Sequence, residues 1–214
     1  MVLKLYGFHL STCTRTVATV LHEKQVPFEF IPVDLLKGEQ KSPEFVAKQP
    51  FGQVPYIDDD GYILYESRAI ARYIATKYAD QGTPLLPKDL KAYGLFEQAA
   101  SVEVHNFHPY ASKAVGENVF KKYRGLTPDP AVYEAAITAL DKNLVVYDQI
   151  LEKQKYLAGN EITLADIFHV AYGSLLPAAG SNAIESKPNV DRWFKEVSGR
   201  ASWQAVKDGV KSTT

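Results

Sequence analysis

Sulfur cross-linking is all but missing: Cys13 is the one cysteine among 214 residues, so no internal disulfide can form. That scarcity fits a reducing compartment, and the cytoplasm is the expected location. Charge of one sign is missing too. Lys and Arg number 24 against 25 Asp and Glu, for a net charge of -1, and both signs are spread along the chain, so no basic stripe exists and nucleic acid is not an expected partner. No stretch approaches the roughly 20 apolar residues of a membrane span. The opening Val2-Leu3-Lys4-Leu5-Tyr6 is shorter than the apolar core of a signal peptide, about 7 to 15 residues. Low-complexity segments are lacking. His105 and His108 share a predicted helix, but no carboxylate or cysteine pattern completes a site around them, so no metal is expected and both read as pocket lining or surface.

What is there is an ordinary globular composition, 46% hydrophobic and 23% charged, in a length that suits one or two compact units. Residues 2–6 read as a short strand ended by Gly7, and Val17, Val20, Leu21 and Lys24 mark a helix over 12–24. Phe28 to Val33 alternates as a second strand. Ser42-Pro43-Glu44 then supplies an N-cap, a proline at the first helical position and an acid in the first turn, and Pro50 and Gly52 stop that helix early. Val54–Ile57 and Tyr62–Tyr65, separated by Asp58-Asp59-Asp60-Gly61, predict an antiparallel hairpin. Ile70, Tyr73, Ile74 and Tyr78 predict a third helix.

The run Asp80 to Pro87 carries a glycine and two prolines and reads as an interdomain linker. Beyond it no strand pattern recurs. Tyr133, Ile137, Leu140, Leu144, Tyr147 and Leu151 step by four and three, which predicts one long amphipathic helix with its apolar stripe in the core. Thr163-Leu164-Ala165-Asp166 reads as a capping box flanked by Ile162 and Ile167, with a role in folding rather than chemistry.

Three short segments carry the chemistry: Ser11-Thr12-Cys13-Thr14-Arg15, Pro50-Phe51-Gly52-Gln53-Val54-Pro55, and Glu66-Ser67-Arg68. Each sits where a strand should meet a helix or loop, and such turns expose unpaired N–H groups that can hold the anionic groups of a small peptide without a metal. Ser11 at a helix start can donate its O–H to an anion. Nothing fixes a histidine beside it: His9 lies two residues upstream and reads as solvated or substrate-facing. Cys13 lies past the turn with no second cysteine to resolve a disulfide, so a small helix-facing residue is the favoured reading over a thiol-exchange nucleophile. Phe51, an aromatic in a loop beside glycine, needs a pocket and is read as an anchor in a partner subunit.

Taken with Lys4-Leu5-Tyr6-Gly7, Glu39-Gln40-Lys41-Ser42-Pro43, Glu66-Ser67-Arg68-Ala69-Ile70 and Tyr156-Leu157-Ala158-Gly159, these segments resemble, in order and spacing, the cytosolic glutathione transferases, phi class. The resemblance spans the chain. It implies an α/β plus all-α fold: a thioredoxin-like, glutathione-binding domain over residues 1–79 with a mixed four-stranded sheet, a linker over 80–88, and an all-helical domain over 89–214 that forms the hydrophobic substrate pocket. It also implies a homodimer. By the same resemblance Ser11 is catalytic, Gln40 and Lys41 meet the glycine end of glutathione, Gln53 and Val54 its backbone, and Glu66 and Ser67 its γ-glutamyl end. Val54-Pro55 would be a cis peptide that lets Val54 pair with glutathione like an added strand, whereas base rates alone favour a trans proline. Leu10, Leu35, Phe107, Phe120 and Tyr172 fall at family positions that line the pocket for the electrophile. Position 40 is Gln where some phi enzymes carry His, and Thr12 and Cys13 put polar and sulfur-bearing neighbours beside Ser11.

The implied activity is conjugation of the glutathione thiolate to small hydrophobic electrophiles, with reduction of organic hydroperoxides by the same thiolate as an extension. Glutathione is a co-substrate, and no other cofactor is expected. A non-catalytic carrier of hydrophobic small molecules on the same fold is the alternative. A free thiol with pKa about 8.5 is only a few per cent ionised at neutral pH. The Ser11 O–H and the positive end of its helix are the groups that would favour the anion.

Overall fold

Two packed units make up the chain in the computed structural model, which describes residues 2–214: one runs through Leu86 and takes up Arg200–Thr214, the other is Pro87–Gly199. In the first unit the elements are β1 (Leu3–Gly7), α1 (Thr12–Glu23), β2 (Phe28–Pro32), α2 (Pro43–Val46), β3 (Tyr56–Asp59), β4 (Tyr62–Tyr65) and α3 (Ser67–Lys77). The sheet order is β2-β1-β3-β4. β1 pairs parallel to β2 with Leu5 opposite Phe30, and antiparallel to β3 with Leu5 opposite Ile57. The β3–β4 hairpin closes through Asp60-Gly61, where the Gly61 N–H donates to Asp58 Oδ1 at 2.7 Å. This is the mixed four-stranded, thioredoxin-like sheet that the resemblance implies.

Helix α1 is buried nearly all round, polar residues included, which requires its hydroxyls to find partners. Thr16 and Thr19 donate back to the carbonyls of Thr12 and Arg15 at 3.0 and 2.8 Å. Helix α2 starts as its residues predict, with Pro43 in the first turn and Ser42 Oγ accepting from the Phe45 N–H at 3.3 Å.

The second unit is all helix: α4 (Leu90–Val102), α5 (His108–Val115), α6 (Pro130–Leu151), α7 (Leu164–Gly173), α8 (Leu176–Ala179) and α9 (Pro188–Ser198). Two π-helical turns, Glu103–Phe107 and Gly116–Lys121, flank α5. The first runs up to Pro109, which has no N–H to continue an α-helical ladder. On α6 the C-terminal part of the stripe lands in the core, with Leu140, Leu144, Tyr147 and Leu151 buried, while Tyr133 and Ile137 nearer its start are half-buried. The Thr163–Asp166 capping box forms at the head of α7, and its carboxylate does more than cap. Oδ2 accepts from the Thr163 N–H and O–H at 2.8 and 3.1 Å, while Oδ1 accepts from the Leu157 N–H at 3.0 Å and the Trp193 indole N–H at 2.9 Å.

The helical unit ends at Gly199 rather than running to Thr214, because the short α10 (Ala201–Gln204) and the tail beyond it pack into the first unit. Glu23 at the end of α1 draws them in. Its carboxylate takes Arg200 Nε and Nη2 at 2.6 and 2.7 Å, together with the hydroxyls of Ser202 and Thr83. Burial alone pushes the Glu23 carboxyl up, but these donors outweigh it and hold the group below the ordinary glutamate range. A depressed folded pKa stabilises above the unfolded value of about 4.3, and that stability is lost as pH falls through the folded value. Denaturant midpoints taken from about pH 6 to about pH 3 should therefore fall more steeply for the wild type than for Glu23→Gln. Parallel curves would remove Glu23 as a source of acid sensitivity.

Candidate functional site

Ser11 is the N-cap of α1, in extended conformation, with its own N–H donated to the Phe8 carbonyl at 2.9 Å. Its Oγ accepts from the Thr14 N–H at 3.4 Å, a long bond. With the amide taken on an oxygen lone pair, the hydroxyl proton stays available for donation. The helix behind is twelve residues long and adds its positive end to the same place. Thr12 is buried, so among the hydroxyls of this turn Ser11 is the more accessible.

Gln40 and Lys41 lie in a 3-10 turn, Glu39–Lys41, and the structure brings them against the Pro50–Val54 loop. Lys41 Nζ donates to the Phe51 carbonyl at 3.0 Å. Gly52, at φ 59°, is what permits the approach: a Cβ there would stand 2.8 Å from the Gln40 carbonyl oxygen and 2.8 Å from Lys41 Nζ. Gln40 Oε1 is buried without a hydrogen-bond partner. Gln53 is exposed, and its N–H donates to Oε1 of buried Gln49 at 3.3 Å. Val54-Pro55 is cis, as the resemblance implies and against the base-rate reading. Val54 and Leu35 both pack on a cluster of Val33, Phe45 and Tyr56. Phe51 is 64% exposed, its ring edge-on to Tyr65 at 6.2 Å.

Glu66 caps α3 at φ 72° and ψ 109°, a conformation that costs an ordinary residue about 1–3 kcal/mol and marks functional sites more often than others. Its side chain is exposed and makes no cap hydrogen bond. Ser67 follows as the first residue of α3, buried. The thiol of Cys13 lies near enough to Ser67, Arg68 and Glu66 for all three to bear on its ionisation. Cys13 thus ties the Ser11 turn to the Glu66–Ser67 helix start, so these two segments stand side by side.

The pocket residues fall into different surroundings. In the first unit Leu10 is exposed and Leu35 half-buried. In the second, Phe120 and Tyr172 are half-buried and face each other at 6.5 Å, with His108 edge-on to Tyr172 at 5.0 Å. Phe107 is a correction. At 1% exposure it belongs to the core, its ring 4.5 Å from that of His169 and 6.5 Å from that of Tyr147, because the π-helical turn it ends swings it inward. Among the described residues no group of side chains is arranged to hold a metal, and no helix is long and apolar enough to cross a membrane.

Residues 1–76 match the family model "Glutathione S-transferase, N-terminal domain", and residues 106–201 match "Glutathione S-transferase, C-terminal domain". The chain belongs to the glutathione S-transferase family. Among its relatives, Glutathione S-transferase hmp2 of Hypomyces subiculosus is 48% identical over 95% of this chain and 96% of its own length. Glutathione S-transferase 3 of Zea mays is 45% identical over 94% and 91%. The crystal structure of glutathione transferase F7 from Populus trichocarpa superposes with a TM-score of 0.92 at 39% identity, covering 97% of this chain and 98% of that one. The plant relatives are of the F type, which agrees with the phi-class resemblance.

Within this transferase the Cys13 thiol is disfavoured as an anion. Burial pushes its thiol up, and the Ser67 and Thr12 hydroxyls and Arg68 only partly oppose that, so it stays protonated at neutral pH. Sequence reasoning missed its closeness to Ser67, which brings together two helix starts that no local pattern relates. It also missed Gln49, whose side chain steadies the Gln53 amide, and the pairing of His108 with Tyr172. For Gln49 a signal existed: a polar residue just before a proline-glycine loop.

Proposed function

We propose that this transferase adds the thiolate of glutathione to small hydrophobic electrophiles, with Ser11 donating its hydroxyl proton to the sulfur. The observation that carries the reading is the cap of α1, where the Ser11 oxygen takes an amide and leaves its O–H for an anion at a helix N-terminus. Gln40 and Lys41 take the glycine end of glutathione, with the Lys41 ammonium and the Gln40 amide N–H as donors to its carboxylate. Gln53 and Val54 hold the peptide backbone. Ser67 and the first amides of α3 take the γ-glutamyl carboxylate while exposed Glu66 pairs with its ammonium. In the first unit Leu10 and Leu35, and in the second Phe120 and Tyr172, are the apolar side chains that the family resemblance offers to an electrophile. A solved maize relative, 31% identical, is in complex with an atrazine glutathione conjugate, which supports conjugation as the reaction class.

The same thiolate attacking a hydroperoxide oxygen breaks the O–O bond. It releases the alcohol and leaves a glutathione sulfenic acid, which a second glutathione converts to the disulfide and water. The enzyme works in the reducing cytoplasm with glutathione as its only cosubstrate. Turnover of an aromatic chloride and of cumene hydroperoxide tests both activities. Tight binding of a fluorescent apolar ligand with no turnover of either would replace this reading with the carrier.

We further assign a homodimer with exposed Phe51 seated in the partner. Phe51→Ala should weaken self-association by about 2 kcal/mol or more, roughly 30-fold. Sedimentation equilibrium reads this directly, and an unchanged association constant would take Phe51 out of the interface.

A further inference from the structure

Local bonds fix the backbone of the Ser11 turn, the Ser11 N–H reaching the Phe8 carbonyl at 2.9 Å, but the Ser11 side chain has only a long cap bond of 3.4 Å from Thr14. Further holds come from the far end of the sequence. The Val210 N–H donates to the His9 carbonyl at 3.1 Å, within the turn. Past the turn, Arg15 Nη1 donates to the Lys207 carbonyl at 2.8 Å and its guanidinium lies 5.4 Å from the centre of the Trp203 ring. Arg15 is itself bonded to the turn, its N–H donating to the Ser11 carbonyl at 2.9 Å. Gly209 stands between these two grips at φ 135°, and a Cβ on it would come within 3.0 Å of His9 Nδ1. The tail therefore approaches the turn more closely than a residue with a side chain would allow.

The segment is anchored at both ends. Trp203, Val206 and Val210 are buried. Beyond them, the Phe28 N–H donates to Thr213 Oγ1 at 2.9 Å, the Thr213 N–H to the Phe28 carbonyl at 3.0 Å, and the Phe30 N–H to Ser212 Oγ at 2.9 Å. β2 is an edge strand of the sheet, so these bonds fix the tail to otherwise open N–H and C=O groups. The two family models match residues 1–76 and 106–201, which leaves Ser202–Thr214 outside both.

We propose that Trp203–Thr214 is a strap that positions the Ser11 turn, with the Val210–His9 bond and Arg15 as its two points of grip. The proposal rests on the reading of Ser11 as donor to the glutathione sulfur. A hydrogen bond to an anion weakens steeply with distance and angle, so a serine whose side chain has only one long cap bond is aimed by its backbone, and restraints on that backbone from outside the turn bear on it. Arg15, Val210 and Gly209 touch no substrate in this scheme; they act through Ser11.

Full-length variants test it. Val210→Pro deletes the N–H that reaches His9, and Gly209→Ala keeps every N–H but pushes a methyl group against the His9 ring, so one variant serves if the other does not fold. Circular dichroism checks the fold, and ultraviolet titration of the thiolate reads the ionisation of bound glutathione. Each variant should raise the bound thiol pKa by about one unit and lower kcat about tenfold, with KM for glutathione within about twofold. Arg15→Lys should fall between wild type and Arg15→Met. In a Ser11→Ala background the strap substitutions should add nothing. Wild-type ionisation and kcat in both folded strap variants, or a full additional shift on top of Ser11→Ala, would overturn the strap while leaving Ser11 in place. A Ser11→Ala protein with wild-type ionisation would overturn the donor reading and the strap with it.

Discussion

Ser11→Ala is expected to lower conjugation of an aromatic chloride about 10- to 100-fold while glutathione affinity stays within about threefold. The split follows from where the serine sits. Removing its O–H takes one donor from the sulfur but none from the glycine end, the peptide backbone or the γ-glutamyl end of glutathione. One to two units of thiol pKa are worth about 1.4 to 2.7 kcal/mol, the size of a single hydrogen bond to a charged group. The bound thiol should move back toward about 8.5, so the variant should recover rate as pH rises where the wild type has levelled off. Ser11→Thr should keep most of the effect, and Thr12→Val should leave the rate near wild type because Thr12 is buried. Rates of Ser11→Ala within twofold of wild type across pH would end the case for this residue.

Asp166→Ala should cost about 3–5 kcal/mol of stability in urea unfolding without altering the ionisation of bound glutathione. The carboxylate is fully buried and accepts four hydrogen bonds, two from Thr163 and one each from Leu157 and the Trp193 indole. Truncation leaves those donors without an acceptor in a dry interior, and each orphaned N–H costs about 1–3 kcal/mol, less than additively. Asp166→Asn should recover part of the loss, since an amide oxygen can serve one pair of donors. A loss under 1 kcal/mol for Asp166→Ala would mean that water reaches the cap.

The local devices were legible. The Asp58–Gly61 hairpin, the proline-led α2, the Thr163 box and the stripe on α6 each rest on interactions within a few residues, which is the range over which side-chain type dictates backbone shape. The places of the candidate residues were legible to the same extent. Ser11, Gln53 and Ser67 stand at turns and helix starts that their neighbours announce. What failed to show were meetings between distant parts of the chain. Family position places a residue along the chain but not the direction of its side chain, so Phe107 reads as pocket lining and is found against His169 and Tyr147. Nor does a helical pattern reveal that Arg200 leaves the helical unit for the carboxylate of Glu23, or that Cys13 lies against Ser67.

The return of residues after Gly199 to the first unit bears on how the molecule is made. A ribosome delivers β1 through α3 early, yet the cover for the rim of that sheet and the counter-ion for Glu23 arrive only after all of the helical unit has been synthesised. Until then the nascent thioredoxin-like half exposes an unfinished β2 border to its surroundings. Completion of the first half to be translated thus waits on release of the second, which links the two in biogenesis.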